Sequence, residues 1–311
     1  MTDIACIAVD WGTSRMRLWA LAHDGRILAA RRSDEGLEGA RDAGFDVILE
    51  RHLHALNVPA DVPVVICGMA GSRQGWVEAP YTDAPASLES VVGKSARVPA
   101  INRDVRILPG IAQRKAGEPD VMRGEETQLL GLGPLKGRRV VCMPGTHSKW
   151  VDIADNRVGH FTTFLTGELF ALFSNHSILR HSIGADSVFA ADTAAFTEAC
   201  ALMVGAPQDL PKRLFSIRAA SLLEGTGAAD SAAALSGLLI GAEIGVAKST
   251  YGTNAAVTLV GSGFLGGLYE AALSIAGFKY TLADGEQLVR DGLLTAARSF
   301  WPSRFDVRKI A

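Results

Sequence analysis

The sequence predicts an α/β protein of two lobes, each a mixed sheet flanked by helices. Three observations carry this expectation. Apolar strand-like runs alternate with helical segments after an opening meander. The pattern of the opening returns at residues 139–164, which implies two lobes built on one plan. The 311 residues are 48% hydrophobic and 21% charged, enough apolar surface for a buried core in a folded chain. The expected division is residues 1–132 and 133–311.

The first strand is "IACIAVD" (4–10), apolar throughout until it ends on Asp10, as suits a strand covered on both faces. "RMRLWAL" (15–21) alternates, with Met16, Leu18 and Ala20 on one side and Arg15, Arg17 and Trp19 on the other. A turn at "HDG" (23–25) sends the chain back through "RILAARRS" (26–33), an antiparallel meander. "AGFDVILERHLHAL" (43–56) has helical periodicity, and "VPVVICG" (62–68) and "VRILPG" (105–110) read as buried strands. The second half opens with "RVVCMPGTHSKWVDIADNRVGHFTTF" (139–164): an apolar strand, a turn at Gly145-Thr146, a strand carrying Lys149, and a return through "DNR". Gly145-Thr146 falls on Gly12-Thr13 of the opening. Toward the end, "AAVTLV" (255–260), a glycine turn and the amphipathic "LYEAALSIA" (268–276) read as strand, loop and helix. Their glycines argue against a membrane span there. Asp284 or Glu286 after "YTLA" (280–283) is expected to cap the closing helix.

The two turns suggest chemistry. A tight bend of glycine and hydroxyl residues presents successive backbone N–H groups, which suit phosphate oxygens. Gly12, Thr13 and Ser14 make one such bend, and Gly145 and Thr146 the other, with His147 after them read as a local turn residue ahead of a phosphate contact. A carboxylate at the end of a buried strand is costly unless paired or near a cation. Asp10 therefore points to a Mg²⁺ held by phosphates and water, with the acid in its outer shell. Arg15, expected to share a side with Arg17, can reach phosphate or a carboxylated substrate. One bend from each lobe would clamp a nucleotide triphosphate.

Other classes are set aside on composition. The formal net charge is −2 with acids and bases mixed, which speaks against nucleic acid or an anionic membrane as partner. The four cysteines form no C-x-x-C pair and read as reduced, buried thiols of a cytoplasmic protein. The seven histidines lack ligand spacing, and the acidic N-terminus does not read as a signal peptide. The string "GSGFLG" (261–266) matches a dinucleotide fingerprint but stands too near the end of the chain for that fold.

At these residues the sequence resembles the sugar-kinase/actin/heat-shock-protein ATPase superfamily. "VDWGTSRMRLW" looks like its first phosphate motif, "MPGTHSKWV" like its second, and "VTLVGSGFLGGLYEAA" (257–272) like its adenosine motif. With "DVMRGEETQLLG" (120–131), "TGELF" (166–170) and "LSGLLIGAEI" (235–244), the whole chain is similar to the 2-dehydro-3-deoxygalactonokinases of galactonate breakdown. The resemblance implies an actin-like (ribonuclease H-like) fold, ATP and Mg²⁺, and a sugar-acid substrate phosphorylated at its terminal hydroxyl. It also implies nucleotide contacts from Gly12, Thr13, Ser14, Arg15, Gly145, Thr146, His147, Gly261, Ser262 and Gly263. A monomer or homodimer is expected.

Phosphoryl transfer needs positioning, charge neutralisation and an acceptor for the hydroxyl proton. In glycerol kinase and its relatives a Gly-Asp-Gln-Gln segment supplies that acid ahead of the second phosphate turn. Here Glu125 of "GEETQLLG" falls on it, one methylene longer, with Glu126 adjacent; on a helix the two diverge by about 100°. The alternative for both is a helix start favoured by the dipole. The loop "CGMAGSRQGWVEAPY" (67–81) follows a buried strand, where α/β sheets carry sites. Ser72, Gln74 and Trp76 are the substrate-binding candidates, with Tyr81 behind them; Trp76 could equally anchor the loop. Arg15, Arg73 or Lys149 could meet the substrate carboxylate. The competing readings are another sugar-acid kinase, an ATP- or polyphosphate-splitting hydrolase on the same scaffold, a sugar-sensing regulator, and a filament-forming or chaperone-like ATPase.

Overall fold

The computed structural model describes residues 3–99, 101–184 and 187–305. Their contacts form two compact α/β units, one of residues 1–136, 154–160 and 285–311, the other of 137–153 and 161–284. The sequence-order boundary at 132/133 lies close to the first of these limits, but the closing helix is counted with the first unit.

In chain order the first unit contains β1 (Ile4–Trp11), β2 (Met16–Ala22), β3 (Ile27–Ser33), α1 (Leu37–Ala43), α2 (Phe45–Ala55) and β4 (Val64–Gly68). The short β5 (Thr82–Asp83), β6 (Ala86–Ser87), α3 (Leu88–Gly93), β7 (Ala96–Arg97) and β8 (Val105–Ile107) follow, then β9 (Ile111–Lys115), β10 (Glu118–Met122) and α4 (Glu125–Gly131). The second unit contains β11 (Arg138–Met143), β12 (Ser148–Ala154) up to residue 153, the part of β13 (Arg157–Phe164) from residue 161, α5 (Thr166–His176), α6 (Ala194–Gly205), α7 (Leu210–Leu223) and α8 (Ala228–Tyr251). β14 (Val257–Val260), α9 (Gly263–Ala276) and β15 (Tyr280–Ala283) complete it, before α10 (Gly285–Phe300) returns to the first unit.

The main sheet of the first unit has the order β3-β2-β1-β4-β8-β7. β1, β2 and β3 form the antiparallel meander, while β4 is parallel to β1 and β8 parallel to β4. β1 is apolar because it is covered on both faces; every residue but Asp10 is buried. Its core gathers Ile7, Val9, Trp11, Leu18, Ile48, Leu49 and Ile66. The register of this sheet sets the site: Asp10 stands opposite Arg17 on β2 and opposite Cys67 on β4. A smaller sheet, β10-β9-β5, pairs both Met122 and Thr82 with Ile111. The segments that precede β5 and follow β10 therefore emerge at the same end. α10 packs on α4, β1 and β4, and its buried side chains recur with helical spacing at Leu288, Val289, Leu293, Ala296 and Ala297.

In the second unit the strand order β15-β14-β11-β12-β13 repeats the plan of the first, where β8-β4-β1-β2-β3 runs in the same sense of chain order. The internal repeat of the sequence is thus a repeat of topology. α8 is long and apolar enough to cross a membrane by length and composition, yet 78% of its most apolar stretch is buried. The reason is packing on α6: Gly237, Gly241 and Gly245 line one stripe of α8, and a Cβ at each would meet α6 backbone oxygens at 2.4, 2.6 and 2.8 Å. That stripe explains the small-residue pattern of "LSGLLIGAEIG". Residues 255–278 fold as expected, into β14 and α9.

Candidate active site

In the first unit, β1 leads into a bend closed by the Gly12 N–H donating to the Arg15 carbonyl at 2.8 Å. Thr13 and Ser14 are exposed at its tip. The bend borders an open cavity of about 620 Å³ lined also by Asp10, Arg17, Arg32 and Asp34. Asp10 is paired: its Oδ2 accepts from Arg17 Nε at 3.1 Å and Nη2 at 2.5 Å, and its Oδ1 faces the Cys67 thiol at 3.8 Å. Arg17 continues to Glu286 at 3.3 Å, and Arg32 donates to both Glu286 oxygens at 2.8 and 2.7 Å. This corrects one expectation and narrows another. Arg15 does not share the setting of Arg17, because β2 begins only at Met16; Arg15 is 84% exposed, 3.6 Å from Asp34. Of the two acids expected to cap α10, Glu286 lies inside its first turn with its carboxylate on two arginines, while Asp284 directly precedes the helix.

The donors at this bend are the Asp10 carboxylate, already sharing Arg17, the Asp34 carboxylate beside Arg15, and a few hydroxyls. The described residues hold no group of three or more His, Cys, Asp or Glu side chains that could cage a metal. Such a set fits a divalent cation that arrives with phosphate, not one held by protein ligands alone.

The two acids at the start of α4 have different surroundings. Glu126 is fully buried; its Oε2 accepts the Gly124 N–H at 2.7 Å and its Oε1 the Thr127 hydroxyl at 2.9 Å. Burial, with a smaller push from the neighbouring Glu125 charge, raises its carboxyl to about 8. Glu125 is partly exposed and accepts the Arg123 N–H at 3.0 Å. Burial first, then the charges of Asp10 and Glu126, hold the Cys67 thiol well above its ordinary range, so this cysteine is an inert core residue.

On the loop after β4, Ser72 Oγ is buried without a partner among the described residues, and Gln74 is exposed. Trp76 stacks on Phe45 at 5.9 Å and meets Trp11 edge-on at 6.4 Å, which anchors the loop to the core. Arg73 is exposed, 3.8 Å from Glu78. Tyr81 lies under the Arg123 guanidinium, 4.4 Å from ring centre to Cζ, an interaction the sequence reading did not foresee.

In the second unit, the bend at 144–147 is held by the start of α5. The Glu168 N–H donates to the Thr146 carbonyl at 3.0 Å, and His147 pairs with Glu168 at 2.5 Å. Gly167 permits this approach: a Cβ there would lie 2.6 Å from the Gly145 carbonyl oxygen and 2.8 Å from Thr146 Cα. Lys149 is buried, its Nζ donating to the His147 carbonyl at 3.2 Å. Behind the bend sits Glu243 of α8, fully enclosed. Ser148 and Trp150 donate to its Oε1 at 2.6 and 2.8 Å; Tyr269, at 2.7 Å, and Thr166 donate to its Oε2. All four acceptor positions of a carboxylate are used. Burial nonetheless raises its pKa, since the four donors offset only part of the desolvation. Sequence reasoning missed Glu243, although a lone acid inside "SGLLIGAEIGVA" is a signal that partners must exist. A mainly apolar cavity of about 190 Å³ adjoins, lined by Gly145, Gly167, Phe189, Ile240, Phe264 and Tyr269 among others. Gly261, Ser262 and Gly263 lead into α9 beside Phe264.

A family profile described as 2-keto-3-deoxy-galactonokinase matches residues 10–296. The chain is 52% identical over 299 residues to the "Probable 2-dehydro-3-deoxygalactonokinase DgoK1" of Rhizobium meliloti (strain 1021), covering 95% of this chain and 97% of that one. It is 33% identical to the 2-dehydro-3-deoxygalactonokinase of Escherichia coli (strain K12), covering 94% and 97%. A Sinorhizobium meliloti crystal structure carrying the same activity name superposes with a TM-score of 0.93 at 52% identity, over 96% of this chain and 99% of that one.

Proposed function

The chain belongs to the 2-keto-3-deoxy-galactonokinase family, and on that premise we propose how its residues divide the work. The activity is ATP-dependent phosphorylation of 2-dehydro-3-deoxygalactonate in galactonate catabolism. The phosphoryl group goes to the terminal hydroxyl. Glu125 takes the hydroxyl proton as the oxygen attacks the γ-phosphorus and ADP leaves. The observation that carries this assignment is the contrast at the start of α4: Glu126 is sealed in the core on two hydrogen bonds, while Glu125 reaches the surface of the same turn.

Gly12, Thr13, Ser14 and Arg15 take phosphate oxygens at the first bend, and Gly145, Thr146 and His147 at the second. Gly261, Ser262 and Gly263, beside the apolar cavity with Phe264, take the nucleoside. Asp10 would orient a Mg²⁺ through water, and the ion would supply charge neutralisation on the transferring phosphate. Ser72 and Gln74 meet the sugar, with Trp76 fixing their loop. The four cysteines are free and buried, consistent with a cytoplasmic setting.

A coupled ADP assay tests the reading. ADP release should require 2-dehydro-3-deoxygalactonate and be slow without an acceptor. Activity on glycerol or plain hexoses alone would overturn the substrate assignment, and rapid ADP release with no sugar acid would favour a hydrolase. The C4 epimer derived from gluconate belongs in the same assay.

A further inference from the structure

A sugar acid must have its carboxylate met by a donor, and the three cations the sequence offers are poorly set for it. Arg15 and Arg73 are exposed beside acids, and Lys149 is buried on a backbone carbonyl. A fourth cation stands elsewhere. Arg123 follows β10, and the register that pairs Met122 and Thr82 with the same residue of β9 brings it over Tyr81. Its Nη2 donates to the Ala79 carbonyl at 3.0 Å. Its Nε and Nη1 are buried and have no acceptor among the described residues. The Ser72 hydroxyl is in the same condition, one residue from Gly71, where a Cβ would come within 2.9 Å of Arg123 Nη1. Glycine at 71 thus leaves room for the guanidinium against the loop.

Buried donors without acceptors are costly, and most so when one of them is charged. Three such donors on one loop and one strand end call for an anionic acceptor. The position also suits the substrate's length. The backbone N–H of Arg123 holds the Glu125 carboxylate, so one arginine side chain separates the proposed base from the guanidinium. A six-carbon acid carries its carboxylate and its terminal hydroxyl at opposite ends of a chain of similar reach.

We propose that Arg123, with the Ser72 hydroxyl on the adjoining loop, receives the carboxylate of the sugar acid and sets the specificity for acids over neutral sugars. The proposal rests on the kinase reading above. Ala79 accepts from one side of the guanidinium and the Tyr81 ring packs on its face, which holds the fork in place with Nε and Nη1 left over.

The test compares kcat/KM for the acid and for its uncharged carboxamide. Wild-type enzyme should prefer the acid. Arg123→Met should lower kcat/KM for the acid roughly 30-fold or more, mainly through KM, and change the carboxamide less than about threefold, so that the preference collapses. Arg123→Lys should fall between, having the charge without the planar fork, and Ser72→Ala should lose a smaller part of the same preference. Equal losses on both substrates, or an intact preference in Arg123→Met, would overturn the assignment. Should Arg123→Met fail to fold by circular dichroism, Arg123→Lys decides alone: an unchanged acid-to-amide ratio overturns the proposal. A wild-type enzyme active on the acid but indifferent to its charge refutes this inference only. One inactive on both refutes the kinase reading beneath it.

Discussion

Glu126→Gln should make this protein more stable in neutral and mildly alkaline solution. Glu126 is fully buried, and its carboxyl is held at about 8 against an ordinary 4.5, chiefly by burial. Between those two values the folded chain keeps the proton and the unfolded chain releases it. Each step up in pH therefore favours the unfolded state. The penalty is absent below about 4.5, grows through the interval and is complete above about 8. At about 1.4 kcal/mol per pH unit, the shift sets a ceiling on the order of 5 kcal/mol. Glutamine fits the same hydrogen bonds: its carbonyl can accept from the Gly124 N–H, and its amide can donate to the Thr127 hydroxyl, which is free to turn. Urea unfolding followed by tryptophan fluorescence, at pH 5, 6, 7 and 8, reads the difference between variant and wild type. It should be small at pH 5 and reach about 2 kcal/mol or more in the variant's favour at pH 8. A difference that stays flat, or that moves toward the wild type as pH rises, would refute the reasoning. The same variant should keep its turnover; loss of turnover in a folded Glu126→Gln would transfer the role of base from Glu125 to Glu126.

Glu125→Gln should leave the melting temperature unchanged and lower kcat about 100-fold or more, read in the coupled ADP assay; near wild-type turnover would remove Glu125 as the base. Gly167→Ala would force a methyl to within 2.6 Å of the Gly145 carbonyl oxygen. Displacing the second bend should raise KM for ATP about tenfold or more with KM for the sugar acid little changed, and an unaltered KM for ATP would count against a phosphate role for that bend. Glu243→Ala orphans an indole N–H that cannot turn away and three hydroxyls that partly can, so urea unfolding should show a loss of about 3 kcal/mol or more. A loss under about 1 kcal/mol would mean the four donors find other partners.

Local features of the chain were legible, and long-range partners were not. The meander, the helix at 45–55 and the strand–helix pair at 257–276 announce themselves by period and by punctuation with glycine. The repeat of topology was legible because two hairpins share a Gly-Thr bend. Asp10 could be recognised as an acid in need of a partner, but not that the partner is Arg17, which depends on the β1–β2 register. Glu286 looked like a cap because its neighbours in sequence are a helix start; its partners, Arg17 and Arg32, lie over 250 residues earlier. Arg123 was invisible as a candidate for the same reason. Nothing beside it in sequence reveals the Tyr81 ring or the Ala79 carbonyl, which arrive through the pairing of two strands with a third.

The substrates of this reaction carry phosphates and a carboxylate, so acids near them oppose binding unless their charge is dealt with. The first unit deals with each acid differently. Asp10 is neutralised in place by Arg17, which also donates to Glu286, itself held by Arg32. Glu126 is dealt with by burial: its carboxyl, held at about 8, keeps most of its proton in mildly acidic and neutral solution and so presents little charge to its surroundings. Glu125, one residue away, escapes that fate because a helical step of about 100° turns it out of the core. Two identical side chains in sequence thus become a neutral structural group and a partly exposed carboxylate, the proposed proton acceptor. An exchange of Glu126 for aspartate should test that logic at its root. The shorter acid cannot hold both the Gly124 N–H and the Thr127 hydroxyl, so it should destabilise the start of α4 at every pH, by about 1 kcal/mol or more. The pH slope should remain, because burial, its cause, is unchanged. Losing the two bonds, which favour the charged form, should if anything carry the slope to higher pH, and a loss of the slope would show that desolvation does not set the charge state of this turn.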